Sequence, residues 1–147
     1  MGFLDTLKSW GDDITKEAKK FANKSLMEGT VAACAMVAQA DGTVDPEEKQ
    51  KIIAYMSRSE ALQVYDIPKV IESFQKYLEG YDFDKHIGEG ECMKAIQKIA
   101  SKPDEARLLV RVCCAIGAAD GNFDDDEKAV VRKICSALNL PPSEFDL

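Results

Sequence analysis

The sequence lacks any apolar run long enough to cross a membrane. Its longest uncharged, apolar-rich stretch is Val31 to Ala40, and Arg111 interrupts the next candidate. Because a spanning helix needs about 20 such residues, we expect neither a transmembrane segment nor a secretory signal. The 147 residues are 46% hydrophobic and 31% charged, a composition typical of one soluble globular domain.

Basic residues are too few to suggest a nucleic-acid-binding protein. The chain has 19 Lys and Arg against 26 Asp and Glu, which gives a net charge of −7 at pH 7. Phosphate binding needs a basic surface, so we expect no nucleic-acid partner. Cations or basic proteins suit this charge better.

Residue patterns of common enzymes are also missing. The one histidine, His86, follows Asp84 and Lys85 at a predicted helix start, where we expect it to face solvent. No serine lies in a G-x-S-x-G pattern, and no glycine-rich phosphate loop is present. We therefore predict a protein that is not an enzyme, with no catalytic residues.

The cysteines are odd in number and have no C-x-x-C spacing, which argues against a disulfide framework or a zinc site. We interpret them as reduced, buried thiols of a cytoplasmic protein. The alternative is a redox-active pair formed by the adjacent Cys113 and Cys114, in an enzyme that reduces or sequesters an oxidant. The five cysteines are Cys34, Cys92, Cys113, Cys114 and Cys135.

From Ser25 onward the apolar residues recur with helical periodicity, which predicts an all-α fold: a single-domain bundle of about seven helices. Pro46, Pro68 and Pro103 indicate helix starts, because proline is tolerated in the first turn. Gly80 and Asn139 indicate helix ends. The predicted helices are 26–39, 46–58, a short piece at 60–64, 68–79, 85–100, 103–118 and 125–138.

Residues 1–24 form a separate segment in this prediction, an amphipathic N-terminal helix preceding a helical domain at 25–147. The segment carries five lysines against four acidic residues. Such a helix could dock to a membrane or into a partner's groove, or it could pack on its own domain's core. Its apolar stripe consists of Phe3, Leu7, Trp10, Ile14 and Phe21.

An acidic stretch occurs twice, 79 residues apart: "AQADGTVDPEEKQKI" at 38–52 and "GAADGNFDDDEKAVV" at 117–131. We call residues 39–45 the first acidic loop and residues 118–124 the second acidic loop. Each follows a helix rich in small residues, so we predict a duplicated helix-loop-helix unit at about 31–58 and 110–137. Small residues let two helices approach closely, and if these two cross at the centre, the loops lie near each other.

Helix capping accounts for much of this motif. Asp45 with Glu48, and Asp124 with Glu127, have the spacing of a capping box. Gly42 and Gly121 would end the preceding helices in a conformation that only glycine adopts cheaply.

Capping leaves two residues of the motif without a role. Asp41 and Asp120 follow helix C-termini, where the helix dipole disfavours a carboxylate. A divalent cation, with calcium favoured, would compensate for this repeated choice. Empty, capped loops remain the alternative.

The paired "ADGTVDPEEK" and "ADGNFDDDEK", each after an Ala-rich helix and opening a charged one, resemble the TerB family of tellurite-resistance proteins; the "MGFLDTLKSW" start fits this likeness too. The resemblance implies a cytoplasmic stress-response protein that associates with the inner face of the membrane. It also implies partners, a TerC-like membrane protein and TerD-type calcium-binding proteins. The metal ligands it implies are Asp41, Asp45, Glu48, Asp120, Asp124 and Glu127, in two loops that differ at Pro46 and Asp125.

Overall fold

A computed structural model describes residues 2–147, and these residues form eight α-helices and two short 3-10 turns, without a β-strand. The predicted all-α helical bundle is therefore confirmed. The helices are α1 (Phe3–Ser9), α2 (Gly11–Phe21), α3 (Lys24–Ala38), α4 (Pro46–Arg58), α5 (Ile67–Phe83), α6 (Lys85–Gln97), α7 (Pro103–Gly117) and α8 (Asp125–Ala137), and the 3-10 turns are Leu62–Val64 and Pro142–Phe145.

The core is centred on α3, in which eleven of fifteen residues are buried. This helix packs against α5, α6, α7 and α8. Its small residues permit that crowding: a Cβ added at Gly29 would lie 3.0 Å from Leu109 Cδ1 and 3.3 Å from the Ala95 carbonyl oxygen. The predicted close approach of the two small-residue helices, α3 and α7, is confirmed.

Gly80 does not end a helix, so that prediction was wrong. Helix α5 continues through Gly80 to Phe83. A Cβ at Gly88 of α6 would lie 2.5 Å from Tyr81 N and 2.8 Å from Gly80 C. The two glycines therefore allow α5 and α6 to touch backbone to backbone, which is a packing role that local sequence does not reveal.

Other helix ends agree more closely with the sequence. Asn139 follows α8 with a φ of +59°, a left-handed conformation that ends the helix as predicted. Helix α6 stops at Gln97, three residues before its predicted end, and the short piece at 60–64 is a 3-10 turn at Leu62–Val64.

The N-terminal segment forms two helices and not one. The Trp10 N–H donates to the Leu7 carbonyl oxygen at 3.2 Å and closes α1, and α2 then begins at Gly11. Asp12 and Asp13 occupy the first turn of α2, where the helix dipole favours negative charge. Throughout residues 2–147, every helix is too short or too polar to cross a lipid bilayer.

Candidate metal site at the paired acidic loops

Both acidic loops end in the predicted N-caps. The Asp45 carboxylate accepts from the Glu48 N–H at 2.8 Å, and the Asp124 carboxylate accepts from the Glu127 N–H at 2.8 Å. In the second copy the Glu127 carboxylate also accepts from the Asp124 N–H at 3.0 Å, which completes a capping box. Of the two copies, only the second forms the full box, so the predicted box in the first copy is half formed.

The two glycines have the predicted positive φ but do not end the helices, because α3 already ends at Ala38 and α7 at Gly117, four residues before each glycine. Gly42 has a φ of +117° and Gly121 a φ of +88°, conformations that are strained for residues with a Cβ. After each glycine an apolar side chain points toward the core: Val44 is half-buried and Phe123 is buried. The side chains of Asp41, Asp120 and Asn122, next to these glycines, are exposed.

Asp120 has a structural role that we did not predict. Its carboxylate accepts from the Asn122 N–H at 3.0 Å, which is the hydrogen bond of an Asx turn. The Asp-Gly-Asn sequence carries the signal for this turn, because Asp commonly bonds to the backbone two residues later. Asp120 therefore does not need a cation to explain its presence, while Asp41 in the first copy lies exposed in the corresponding position.

The two loops face a single pocket of about 650 Å³. Five of the six predicted ligands line it, and Lys51 is the lysine among the lining residues. The sixth predicted ligand, Asp45, lies outside the lining and serves as the α4 cap. The expectation that the duplicated loops lie near each other is thus confirmed. The carboxylates that line the pocket are Asp41, Glu48, Asp120, Asp124 and Glu127.

The pKa of Glu127, one of the pocket carboxylates, is raised. Burial is the largest cause that raises the pKa of Glu127 to about 7. The hydrogen bond from the Asp124 N–H lowers this pKa, while the carboxylates of Asp124, Asp120 and Asp41 raise it. Asp41 belongs to the first acidic loop, so carboxylates from both copies raise the pKa of Glu127.

Glu48, across the pocket, has a raised pKa as well. Burial of its carboxyl contributes most, followed by the negative charges of Asp45 and Asp41. The positive charge of Lys51 opposes the shift. Burial and neighbouring carboxylates thus disfavour the negative charge of both glutamates, and a cation nearby would offset this effect.

The residues that line the pocket are of the type that binds a hard divalent cation, but their side chains are not arranged around a common point. Carboxylate and amide oxygens are the ligands that calcium, magnesium and manganese prefer. In residues 2–147, however, no three acidic, histidine or cysteine side chains lie close enough together to hold a metal ion. Coordination by these residues would require their carboxylates to move toward the pocket centre.

Comparison with known proteins identifies the family. Residues 27–147 match the family model described as tellurite resistance protein TerB. A similar protein, the tellurium resistance protein TerB of an Alcaligenes species, is 42% identical over an alignment of 116 positions that covers 76% of this chain and 95% of that protein. The chain belongs to the TerB family. No solved structure matches it. The family match begins at residue 27, so the resemblance of the N-terminal "MGFLDTLKSW" to the TerB family stays a prediction.

In this TerB-family chain all five cysteines are buried and free, as predicted. A hydrogen bond with Cys114, together with burial, raises the pKa of Cys113 well above its ordinary value. Burial also raises the pKa of Cys34, whose side chain forms part of the pocket wall. Thiols with raised pKa values are poor nucleophiles. His86 is exposed, as predicted.

The apolar stripe of the TerB-family chain's N-terminal segment lies against its own core. Phe3, Leu7 and Ile14 are buried, while Trp10 and Phe21 are half-buried. The stripe therefore packs on the core of its own domain, which is the second of the two alternatives. Docking of the stripe to a membrane or partner would need α1 and α2 to leave the core, and it stays a prediction.

Proposed function

We propose that this chain is a non-enzymatic, divalent-cation-binding adaptor of tellurite resistance, which docks to membrane or protein partners. The observation that carries the proposal is the placement of five carboxylates from two distant loops around one pocket. Membership of the TerB family supports a role in tellurite resistance. The carboxylates of the pocket support the binding of a cation.

A cation would relieve the repulsion within this pocket. Asp41 and Glu48 come from the first copy, and Asp120, Asp124 and Glu127 from the second, so neutral pH places several negative charges around one space. Calcium accepts six to eight oxygen ligands in flexible geometry, which suits ligands gathered from two loops. Asp45 would stay at the α4 N-terminus, because its carboxylate already caps the helix.

Docking is the second half of the proposal. By resemblance, the partners are a TerC-like membrane protein and TerD-type calcium-binding proteins, met in the cytoplasm at the inner face of the membrane. Binding a cation would change the charge of the acidic pocket, and a change of that kind alters which surfaces associate. The adaptor role needs no catalytic residue.

Two alternatives remain as outcomes of the test. A thiol enzyme using Cys113 and Cys114 would require access to side chains that are fully buried here. A structural interaction domain with no metal is favoured by one observation: Asp45, Asp124 and Asp120 all have hydrogen-bonding roles within the loops.

A calcium titration followed by backbone amide NMR shifts tests the proposal. We expect shifts concentrated in residues 39–52 and 118–131. Glu127→Gln should weaken the binding, and Asp126→Asn is the matched control, since Asp126 is an exposed neighbour outside the pocket lining. If calcium, magnesium, manganese and zinc all leave these amides unmoved, the loops are caps and the metal-free interaction domain is correct.

A further inference from the structure

The corner between α5 and α6 exposes two large apolar side chains. Phe83, the last residue of α5, is 82% exposed, and Ile87 in the first turn of α6 is 48% exposed. Among residues 2–147, Leu4 of α1 is the other large apolar residue that is exposed. Apolar residues scattered singly over a surface are ordinary, whereas neighbouring ones mark an interaction site. The pair between α5 and α6 is therefore a candidate contact surface.

The contact between α5 and α6 holds this corner in place. A Cβ at Gly88 would lie 2.5 Å from Tyr81 N, so the two helix backbones touch beside the turn. The Asp84 carboxylate accepts from the Ile87 N–H at 3.1 Å and caps α6. Phe83 and Ile87 thus lie on either side of a capped turn between closely packed helices, and their exposure is a property of the fold.

Gly90 lies on the same face of α6 as Ile87, because residues three apart in a helix are neighbours. Gly90 is exposed, and a Cβ at this position would meet no packing partner within 4 Å. Packing within the chain therefore does not require glycine here, although glycine in the middle of a helix is destabilising. The missing side chain lets the surface of another molecule approach the α6 backbone closely. We call Phe83, Ile87 and Gly90 the corner site.

Acidic residues surround the corner site. Residues 79–91 include five acidic residues against one lysine, Lys85. One of the five, Glu89, pairs with Lys133 of α8. The other four form no ion pair with a lysine or arginine of residues 2–147. They are Glu79, Asp82, Asp84 and Glu91. The corner site therefore combines exposed apolar side chains with negative charge that the chain itself does not balance.

We propose that the corner site docks a basic amphipathic segment of a partner protein. The apolar side chains of such a segment would cover Phe83 and Ile87, and its lysine or arginine residues would pair with the surrounding carboxylates. Two other occupants fit the charge less well. An anionic lipid surface would be repelled, and so would the same acidic corner of a second copy of the chain.

This inference deepens the docking half of the proposed function and rests on it, since an adaptor must contact a partner. It does not involve the acidic loops. The corner site lies on α5 and α6, whereas the pocket between the loops is lined by residues of α3, α4, α7, α8 and the loops themselves. Failure of cation binding would therefore leave the corner site unaffected.

The test uses a short synthetic peptide in which leucine and lysine recur with helical periodicity. Binding of this peptide to the full-length protein, in chelator, is followed by backbone amide NMR shifts. We expect the largest shifts at residues 79–94. The acidic loops are an internal control for attraction by charge alone, and shifts confined to residues 39–45 and 118–124 would overturn the proposal. A peptide with glutamate in place of lysine should not bind.

Three variants identify the residues that bind the peptide. Phe83→Ser should weaken binding by about five-fold or more. Leu4→Ser is the matched control, because it replaces an exposed apolar residue outside the corner site and should leave the affinity unchanged. Gly90→Gln should weaken binding while raising Tm, since glutamine is the better helix former. Circular dichroism checks that each variant is folded. Equal affinities of wild type, Phe83→Ser and Gly90→Gln for the peptide would overturn the proposal.

The other occupants are tested with the same protein. Sedimentation with vesicles of phosphatidylglycerol and phosphatidylcholine measures lipid binding, and analytical ultracentrifugation of the protein alone measures self-association. We expect Phe83→Ser to change neither result. Loss of vesicle binding or of a dimer in Phe83→Ser would assign the corner site to a membrane or to a second copy, and the proposal would be wrong.

A parallel calcium titration separates this proposal from the cation site. Peptide binding at residues 79–94 without any response to calcium would support the corner site and remove the cation from the proposed function. Calcium binding without peptide shifts at residues 79–94 would overturn the corner site and leave the cation site standing.

Discussion

The Asp124 carboxylate accepts a hydrogen bond from the Glu127 N–H at 2.8 Å, and the Glu127 carboxylate accepts one from the Asp124 N–H at 3.0 Å. This reciprocal pair begins α8 and also forms part of the pocket wall. Asp45 caps α4 without lining the pocket. The two caps therefore allow the capping role and the pocket role to be separated by mutation.

Asp45→Ala should lower the free energy of unfolding by about 1 kcal/mol, with chelator or with calcium, because an N-cap acceptor is lost. Asp124→Ala should lower it by less in chelator, since removing this carboxylate also relieves its repulsion of Glu127. Urea unfolding measures both values. Asp126→Ala, which removes an exposed acidic residue, should stay within about 0.5 kcal/mol of wild type. A calcium-dependent effect of Asp45→Ala would contradict its assignment as a cap.

Asp41→Asn and Asp120→Asn should be neutral or slightly stabilising in chelator. Each removes a negative charge that raises the pKa of Glu127, and Asn at position 120 still offers an oxygen for the Asx turn. In calcium at about 100 times its Kd, wild type should gain about 2.7 kcal/mol, and both variants should gain less.

Thermal unfolding of these proteins, each with calcium and with chelator, makes the comparison. Equal shifts of Tm in wild type and both variants would remove Asp41 and Asp120 from the ligand set. No shift in any protein would support the metal-free interaction domain.

The pKa of about 7 for Glu127 predicts a pH-dependent stability. An unfolded Glu has a pKa near 4.3, so the folded state binds this proton more tightly than the unfolded state between these values. Stability from this group is therefore fully present below about pH 4 and is lost as the pH rises toward about 7. Partial exposure reduces the effect to the order of 1–2 kcal/mol.

Urea unfolding of wild type and Glu127→Gln in chelator, at several pH values from 5 to 8, isolates this contribution. Gln preserves a side-chain oxygen for the capping box but does not titrate. The difference between the two proteins should grow as the pH rises to about 7 and then level off. A difference that stays constant over this range would show that Glu127 has an ordinary pKa.

Replacing Cys113 and Cys114 by Ala should leave tellurite resistance intact in cells, provided that the protein stays folded. Both thiols are buried, and the pKa of Cys113 is raised, so neither is an effective nucleophile. Loss of packing should lower stability by about 1–3 kcal/mol per site. Cys92→Ala, a buried thiol in α6, is the control for stability alone. Lost resistance in a folded double variant, with the control resistant, would support the thiol enzyme.

Helix capping and apolar periodicity are local, which is why the caps at Asp45 and Asp124 and most helix positions follow from the sequence. The duplication also predicts that the loops meet, because each copy follows one of two small-residue helices. Gly80 shows the limit of this reasoning. A glycine near a helix end favours termination locally, but contact with Gly88 on another helix decides its role.

The stacking of Phe3 on Phe123 depends on the same kind of distant contact. Phe3 belongs to a periodic apolar stripe. Such periodicity indicates that one face of the helix is apolar, but it does not indicate which residues pack against that face. Arg111 of α7, whose guanidinium lies 5.7 Å from the Trp10 ring centroid, is a further contact that no local pattern indicates.

Ile14→Ala should test whether the N-terminal segment is part of the folded core. Ile14 in α2 is buried, so truncation should lower the free energy of unfolding by about 2–4 kcal/mol. If α2 only touched the surface of the domain, the same truncation would lower the free energy of unfolding far less. Lys16→Ala on the same helix is the matched control, because Lys16 is exposed and should change stability by about 0.5 kcal/mol or less.

Urea unfolding gives these values, and native-state hydrogen exchange shows where the loss occurs. We expect α1 and α2 to exchange faster than α3 and α7 in wild type, since eleven of the fifteen residues of α3 are buried while α2 buries Ile14 and Ala18. Ile14→Ala should accelerate exchange in α1 and α2 first, because the two helices share one apolar stripe. Equal protection of all these helices would show that the segment cannot open on its own, which would remove the basis for its release as a docking face.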